Sequence, residues 1–240
     1  MYVADREQLV TDTFVELADT LAGDFDVSEF LGMLVDRCAK ILGASTGGVA
    51  LENASGLLQL AAANSEEMEA LEQAEIDHEE GPCLDAYRHC RQVLAPDLRE
   101  CRDRWPRVVA RALDIGLVAA CAFPLRVGGD VIGALNLYRV APGEFRDEDV
   151  RLAQAFADVA AIGILQERRV INAERRAEQL QHALDSRVVI EQAKGVLAGA
   201  VQVSMADAFE AIRRHARTNN LTVRVVAQTV VDEGASAISH

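Results

Sequence analysis

The positions Leu152, Phe156, Val159, Gly163, Gln166, Val170, Ala173, Ala177, Leu180 and Leu184 follow one another at spacings that alternate between four and three. That is the period of a coiled-coil seam. It predicts one helix from about Glu148 nearly to Gly199. A helix of this length separates whatever precedes it from whatever follows. The seam is uneven, because Gly163 and Gln166 are poor seam residues and Ala173 and Ala177 are small. Two packings are open: against the preceding domain, or against a second copy of the chain. The early part could do the first and residues 166–184 the second. A polar stretch such as RRVINAERRAEQLQ gains little from folding alone, so a parallel homodimer is the expectation.

Charge divides at the same place. Residues 1–165 carry 14 Lys and Arg against 29 Asp and Glu, a net of −15, whereas residues 166–240 carry 10 against 9, a net of +1. The whole-chain value of −14 opposes nucleic-acid binding, but that objection applies to the first part only. The tail is nevertheless no basic patch, and strong nonspecific binding is not expected. Any affinity there has to come from a local face and from doubling. No apolar run approaches the ~20 residues of a membrane span, and MYVADREQLV has no signal pattern, so a cytoplasmic protein is expected. The five cysteines, Cys38, Cys83, Cys90, Cys101 and Cys121, are odd in number and contain no Cys-x-x-Cys pair. They read as reduced thiols packed as small apolar residues. With His78 and His89 nearby, their spacings fit no common zinc pattern, and neither a metal nor a cofactor is expected.

Along the first part, residues 6–22 and 27–42 have helical periodicity. Gly23 and the Asp24-Phe25-Asp26 stretch separate them, Asp26 and Glu29 resemble a capping box, and Gly43 closes the second helix. Strand-like runs follow at 48–52 and 57–62, and residues 65–76 are acidic and weakly patterned. Short helices are expected over Cys83–Cys90 and Trp105–Leu113, with a short strand at 93–95 between them. Val118 to Tyr138 reads as a hairpin turning at Gly128-Gly129-Asp130, and Asp147 as the N-cap of the long helix. This order predicts an α+β domain, an antiparallel sheet with flanking helices.

Three segments, EGPCLDAYRHCRQVLAPDL, WPRVVARALDIG and AFPLRVGGDVIGALNLY, resemble a GAF domain, similar to the type found ahead of ANTAR domains in actinobacteria. The resemblance covers residues 8–165. It implies a sensor that holds a small molecule between the sheet and its covering loops, here the 78–104 region. Cys83, Tyr87, Arg91, Asp97 and Trp105 are candidate lining residues. Each has a packing or capping alternative: Trp105 as core, Asp97 as the cap of a turn after Pro96. Some GAF domains reduce methionine sulfoxide with cysteines, and Cys83, Cys90 and Cys101 lie close in sequence. No matching motif, phosphate-binding glycine loop or nucleophile–His–acid set accompanies them, so no enzyme is expected.

The tail resembles an ANTAR domain through Ala183-Leu184, Ser186-Arg187, Ile190, Gln192-Ala193-Lys194-Gly195, Leu197, Ala208-Phe209, Ile212-Arg213, Ala216, Asn220-Leu221, Ala227 and Val230-Val231. This implies a three-helix RNA-binding bundle at 185–235, joined to the sensor by a coiled-coil helix at 166–184. It also implies recognition of paired RNA hairpins and stabilisation of an antiterminator over a terminator. Arg187, Lys194, Arg213, Arg214, Arg217 and Arg224 are the candidate RNA-binding residues, since guanidinium groups both stack and donate in a fork. The inward set reads Val189, Ile190, Ala193, Val196, Leu197, Met205, Ala208, Phe209, Ile212, Ala216, Leu221, Val226 and Val230. Phe209 is thus assigned to the core and stacking to the arginines or His215. Taken alone the charges also fit ordinary surface pairs, Arg187–Glu191 and Glu210–Arg214. The departure AGAVQVS after Leu197 and the negative overall charge keep a second reading open, a ligand or redox sensor acting through protein contacts without RNA.

Overall fold

Periodicity in the chain becomes alternating helices and strands. The order is α1 (Val3–Leu21), α2 (Val27–Leu42), β1 (Thr46–Glu52), β2 (Leu58–Ala63), α3 (Glu66–His78) and α4 (Pro82–His89). Then come β3 (Val93–Ala95), α5 (Pro106–Asp114), β4 (Ala119–Val127), β5 (Asp130–Arg139), α6 (Asp147–Val201), α7 (Met205–Thr218) and α8 (Val223–Glu233). The computed structural model describes residues 3–23 and 25–238; Asp24, read as part of a helix break, lies outside them. The chain divides into two units, Met1–Glu167 and Arg168–His240, and α6 contributes to both.

In the first unit five antiparallel strands lie in the order β2-β1-β5-β4-β3. The central hairpin turns where the sequence predicts, with Gly128 and Gly129 at φ +64° and +119°, a conformation that glycine adopts without the clash a Cβ would bring. Alternation along the strands sorts two faces. Val49, Leu51, Phe123, Leu125, Leu135 and Leu137 join α1, α2 and the start of α6 in one core. The other face is built from small residues, Ala50, Ala120, Ala122 and Ala134, under α3, α4 and α5. Small residues let those helices approach closely, and this is where the polar interior described below forms.

Local chemistry fixes the helix ends. Asp26 accepts from the backbone of Ser28 and Glu29 at 2.8 and 3.0 Å, and Gly43 closes α2 in the left-handed region at φ +65°. Ser65 caps α3 by accepting from Met68 N at 3.2 Å. The acidic, weakly patterned run is thus helical from Glu66 to His78. The buried face of α3 is Met68, Leu71, Glu72 and Glu75. The spacing is that of an amphipathic helix, but carboxylates hold two of its inward places. Asp147 opens α6 as its first residue. It is not the cap, because Val150 N already bonds Arg146 O at 3.0 Å. Buried Asp149 pairs with Arg146 and Arg6.

The seam positions of α6 divide by environment. Phe156 is buried and stacks on Phe14 with ring centroids 4.6 Å apart. Gly163 is the seat of Leu21, whose methyl a Cβ there would overlap. The glycine is therefore a fit for α1, and a poor seam residue for that reason. In the second unit Val170, Leu180 and Leu184 are exposed along the helix, as are Ile171 and Val188.

The second unit packs the end of α6 with α7 and α8. Ser204 caps α7, accepting from Asp207 N at 3.1 Å and donating to Asp207 Oδ2 at 2.6 Å. Thr222 caps α8 through Val225 N at 3.3 Å. The buried core consists of Ala193, Leu197, Ala208, Ile212, Ala216, Val226, Ala227 and Val230. Val196, Met205 and Leu221, assigned inward from the sequence, are 37%, 44% and 47% exposed. Each lies at a helix edge or end, where three short helices have too little breadth to cover it.

Candidate functional site

On the second unit the buried stripe of α7 runs Ala208, Ile212, Ala216. Phe209 is one position, about 100°, off that stripe. It is half-buried and stands outside the core set, which corrects its assignment to the core. Lys194 Nζ lies 5.7 Å from its ring centroid and Arg213 Cζ lies 5.6 Å from it. The structure therefore places two cations within cation–π distance of one aromatic ring, joining α6 to α7.

Each cation has a carboxylate. Lys194 Nζ donates to both Glu191 oxygens at 2.8 Å, and Arg213 to Glu210 Oε1 at 2.9 Å. From the sequence Glu191 could pair with Arg187 or Lys194, and Glu210 with Arg214. Glu191 takes Lys194 and Glu210 takes Arg213 rather than Arg214, each the cation three residues on, beside the ring. Arg187, Arg214 and Arg217 are exposed, and none of the ion pairs among the described residues engages them. Arg224 is exposed and its guanidinium lies 3.2 Å from His182 Nδ1. Three of the six candidate cations are thus gathered or paired through α6–α7 and α6–α8 contacts, and three point into solvent with open donors. The two exposed pairs with Glu191 and Glu210 are each worth about 0.5 kcal/mol or less, little against a phosphate competing for the same cation.

In the first unit Cys83 and Trp105 lie in one buried cluster with Tyr87 packed against it, and Arg91 and Asp97 are not part of that cluster. Cys83 and Trp105 are buried, Tyr87 and Asp97 half-buried, Arg91 exposed. Asp97 accepts from Arg99 N at 2.9 Å and pairs with the Arg99 guanidinium at 2.6 Å, so it caps the turn. Trp105 Nε1 donates to Asp85 Oδ2 at 3.1 Å under the Arg104 guanidinium, a packing role. Burial, and then Glu52, raises the Tyr87 hydroxyl above its ordinary value. Of the five, only Cys83 enters the polar interior.

Apart from Cys83, that interior consists of residues that the sequence does not single out. Glu72 and Glu75 from α3 face Asn136 and Tyr138 of β5, and all four are fully buried. Asn136 Nδ2 donates to Glu72 Oε1 at 2.5 Å, Tyr138 OH to Glu75 Oε1 at 2.5 Å, and Cys83 N to Glu75 Oε2 at 2.8 Å. Glu72 Oε2 and Asn136 Oδ1 have no donor. Burial pushes Glu72 up to about 7, against the pull of Asn136 and then of the Cys83 thiol. Burial and the neighbouring Glu72 push Glu75 well above the carboxylate range. Two buried carboxyls this close do not both ionise, so the pair holds a proton near neutrality. Burial, then Glu72 and Glu75, raise the Cys83 thiol far above its ordinary value. That keeps it protonated and a poor nucleophile. Among the described residues no group of three His, Cys, Asp or Glu side chains could hold a metal ion.

Residues 26–165 match the family model described as GAF domain, and residues 178–231 match the one described as ANTAR domain. Among solved structures, the chain is similar to the GAF domain of the Acinetobacter phosphoenolpyruvate-protein phosphotransferase, at 12% identity over 71% of this chain and 98% of that one, TM-score 0.52. It is similar to the corresponding domain from Coxiella burnetii, at 14% identity over 68% and 96%, TM-score 0.52. It is also similar to the free methionine-R-sulfoxide reductase of Neisseria meningitidis in complex with its substrate, at 16% identity over 67% and 91%, TM-score 0.52. At these identities the likeness shows the fold alone. No curated protein matches the chain.

Proposed function

The chain belongs to the family of antitermination regulators in which a GAF domain precedes an ANTAR domain, and on that premise we propose that it binds paired hairpin loops in nascent transcripts and so prevents terminator formation. ANTAR domains are RNA-binding antitermination modules and GAF domains are signal sensors. The finer reading is that the second unit reads looped-out bases, that residues 166–184 pair two copies, and that an effector in the first unit sets the outcome.

The observation that carries the RNA reading is the Phe209 ring with Lys194 and Arg213 within cation–π distance of it. A flat ring with flanking cations supports a splayed base on one side and its phosphates on the other. Arg187, Arg214, Arg217 and Arg224 extend the donor surface. One such face offers few contacts, and a dimer offers two. The second contact is then intramolecular, which multiplies affinity without new chemistry. The exposed Val170, Leu180 and Leu184 supply the apolar seam for that pairing. Among the described residues no single helix is long and apolar enough to cross a membrane; we assign the protein to the cytoplasm because nascent transcripts are there.

The test is binding of the purified chain to a two-hairpin RNA against an unstructured control at low salt. Lys194→Ala and Arg214→Ala should each weaken it, and Phe209→Ala should weaken it about tenfold or more. Equal affinity for both RNAs would remove the proposal. The pairing of Lys194 and Arg213 with carboxylates favours the other reading, a sensor acting through protein contacts. That reading expects these substitutions to leave RNA affinity unchanged.

A further inference from the structure

With both carboxyls ionised, the polar interior between α3 and β5 holds more acceptors than donors. Glu72 and Glu75 offer four carboxylate oxygens and Asn136 one amide oxygen. The Asn136 amide, the Tyr138 hydroxyl and the Cys83 backbone N–H satisfy three of these. Glu72 Oε2 and Asn136 Oδ1 are fully enclosed and have no donor in hydrogen-bond geometry, although the Cys83 thiol lies near enough to Glu72 to favour its charged form. Among the described residues neither carboxylate has a Lys, Arg or His partner. The charges acting on Glu75 are those of Glu72 and Asp85, both negative. Across the site, Cys83 and Tyr138 carry protons rather than positive charge. A buried acceptor without a donor is costly, and a buried carboxylate without a counter-charge costs more.

We propose that this interior is a binding site for a small organic cation of the ammonium or amidinium class, held between Glu72 and Glu75 and donating to Glu72 Oε2 and Asn136 Oδ1. The proposal rests on the first unit being a sensor, and it names the chemistry of the effector. Charge and donor number decide the class. An anion would meet two carboxylates, and a neutral donor would leave the charge unanswered. An N–H cation supplies both, and in binding it replaces the proton the pair otherwise shares. The resting site is closed by the carboxylates themselves, and glycines make room for them. A Cβ at Gly48 would stand 2.9 Å from Glu72 Oε1, and one at Gly81 would overlap the Glu75 carboxylate. A cation therefore enters only as these side chains turn, on a helix that packs against β1, β2, α4 and α5.

The experiment uses the full chain, with methylammonium and acetamidinium chlorides as probes. Tetramethylammonium has the charge without N–H groups, acetamide the donors without the charge, and potassium chloride neither. Calorimetry near pH 6, in two buffers of different ionisation enthalpy, reads affinity and proton release. Fluorescence of Trp105 reads unfolding of the first unit. The expected result is millimolar binding of one or both N–H cations, with net proton release and a raised unfolding midpoint, and no such response to the three controls. Glu72→Gln and Glu75→Gln keep the shape and remove the charge, and each should weaken binding about tenfold or more. If both variants lose the Trp105 transition, proton release by the unaltered protein decides. No response to either N–H cation, an equal response to acetamide or potassium, or binding without proton release overturns the inference. RNA affinity measured alongside separates the two claims. Cation binding that leaves RNA affinity unchanged removes the sensor reading alone. A shift produced by a neutral or anionic probe instead removes the cation inference alone.

Discussion

The two units treat charge in opposite ways. The first buries Glu72, Glu75 and Asn136 under α3 within one of its two broad apolar layers. Among the described residues the second buries no polar or charged side chain and closes on eight buried apolar residues, four of them alanine. A large core has stabilisation to spare for a polar interior, roughly 1.5–3 kcal/mol for each Leu, Phe or Val it encloses. A bundle of three short helices has not. The lesson is one of allocation: the unit with surplus stability carries the costly internal chemistry, and the unit with little carries function on its outside, where charge costs almost nothing.

The strongest way to break this contrast is at Ile212, fully buried in the small core. Ile212→Ala is expected to cost about 2–5 kcal/mol and to melt the second unit, lowering helical circular dichroism. The Trp105 transition of the first unit should stay in place. If both units unfold together, their stabilities are not separate and the contrast fails.

The next effect is with pH. Glu72 and Glu75 have folded values above their unfolded ones, so between about 4.5 and 7 the folded state holds protons that the unfolded state has released. Stability of the first unit is therefore greatest at the acid end and falls as pH rises through that window, by about 1.4 kcal/mol per pH unit for each extra proton. Urea titrations followed by Trp105, the chain's single tryptophan, should show the slope. Glu72→Gln should flatten it. The second unit, followed by helical signal, should show no comparable trend.

Smaller effects sharpen the surface side. Phe209→Ala is expected to lose about 1–3 kcal/mol of RNA binding, with far less loss of stability, because its ring lies off the buried stripe. Equal losses would return it to the core. Ser204→Ala removes the α7 cap and should cost about 1 kcal/mol in thermal unfolding. Glu210→Ala breaks an exposed pair and should cost under about 0.5 kcal/mol, while freeing Arg213 and slightly raising affinity for RNA.

The sequence made most of this architecture legible where pattern and chemistry coincide. Asp26, Gly43, Gly128-Gly129, Ser204 and the period of α6 each act locally, and each can be read without knowing the fold. What was hidden is non-local. α3 has the spacing of a buried face, Met68, Leu71, Glu72, Glu75, but two glutamates at inward positions erase the apolar signal on which the reading depends. Their partners, Asn136 and Tyr138, sit on a strand some sixty residues on. Of the five proposed lining residues, Cys83 enters that interior, and Asp97 and Trp105 have structural partners instead. Phe209 was misplaced because an aromatic in a short amphipathic helix looks like core, and only the neighbouring Lys194 and Arg213 reveal its other use.

The seat of Leu21 on Gly163 has a practical outcome. The match to the GAF family begins at residue 26, after α1 has ended. A fragment cut at that boundary would strip Leu17, Phe14 and Leu21 from the layer they complete and leave Phe156 facing water. Anyone isolating the sensor for crystallisation or ligand screening should therefore keep the amino-terminal helix, since the family boundary falls short of the folding boundary.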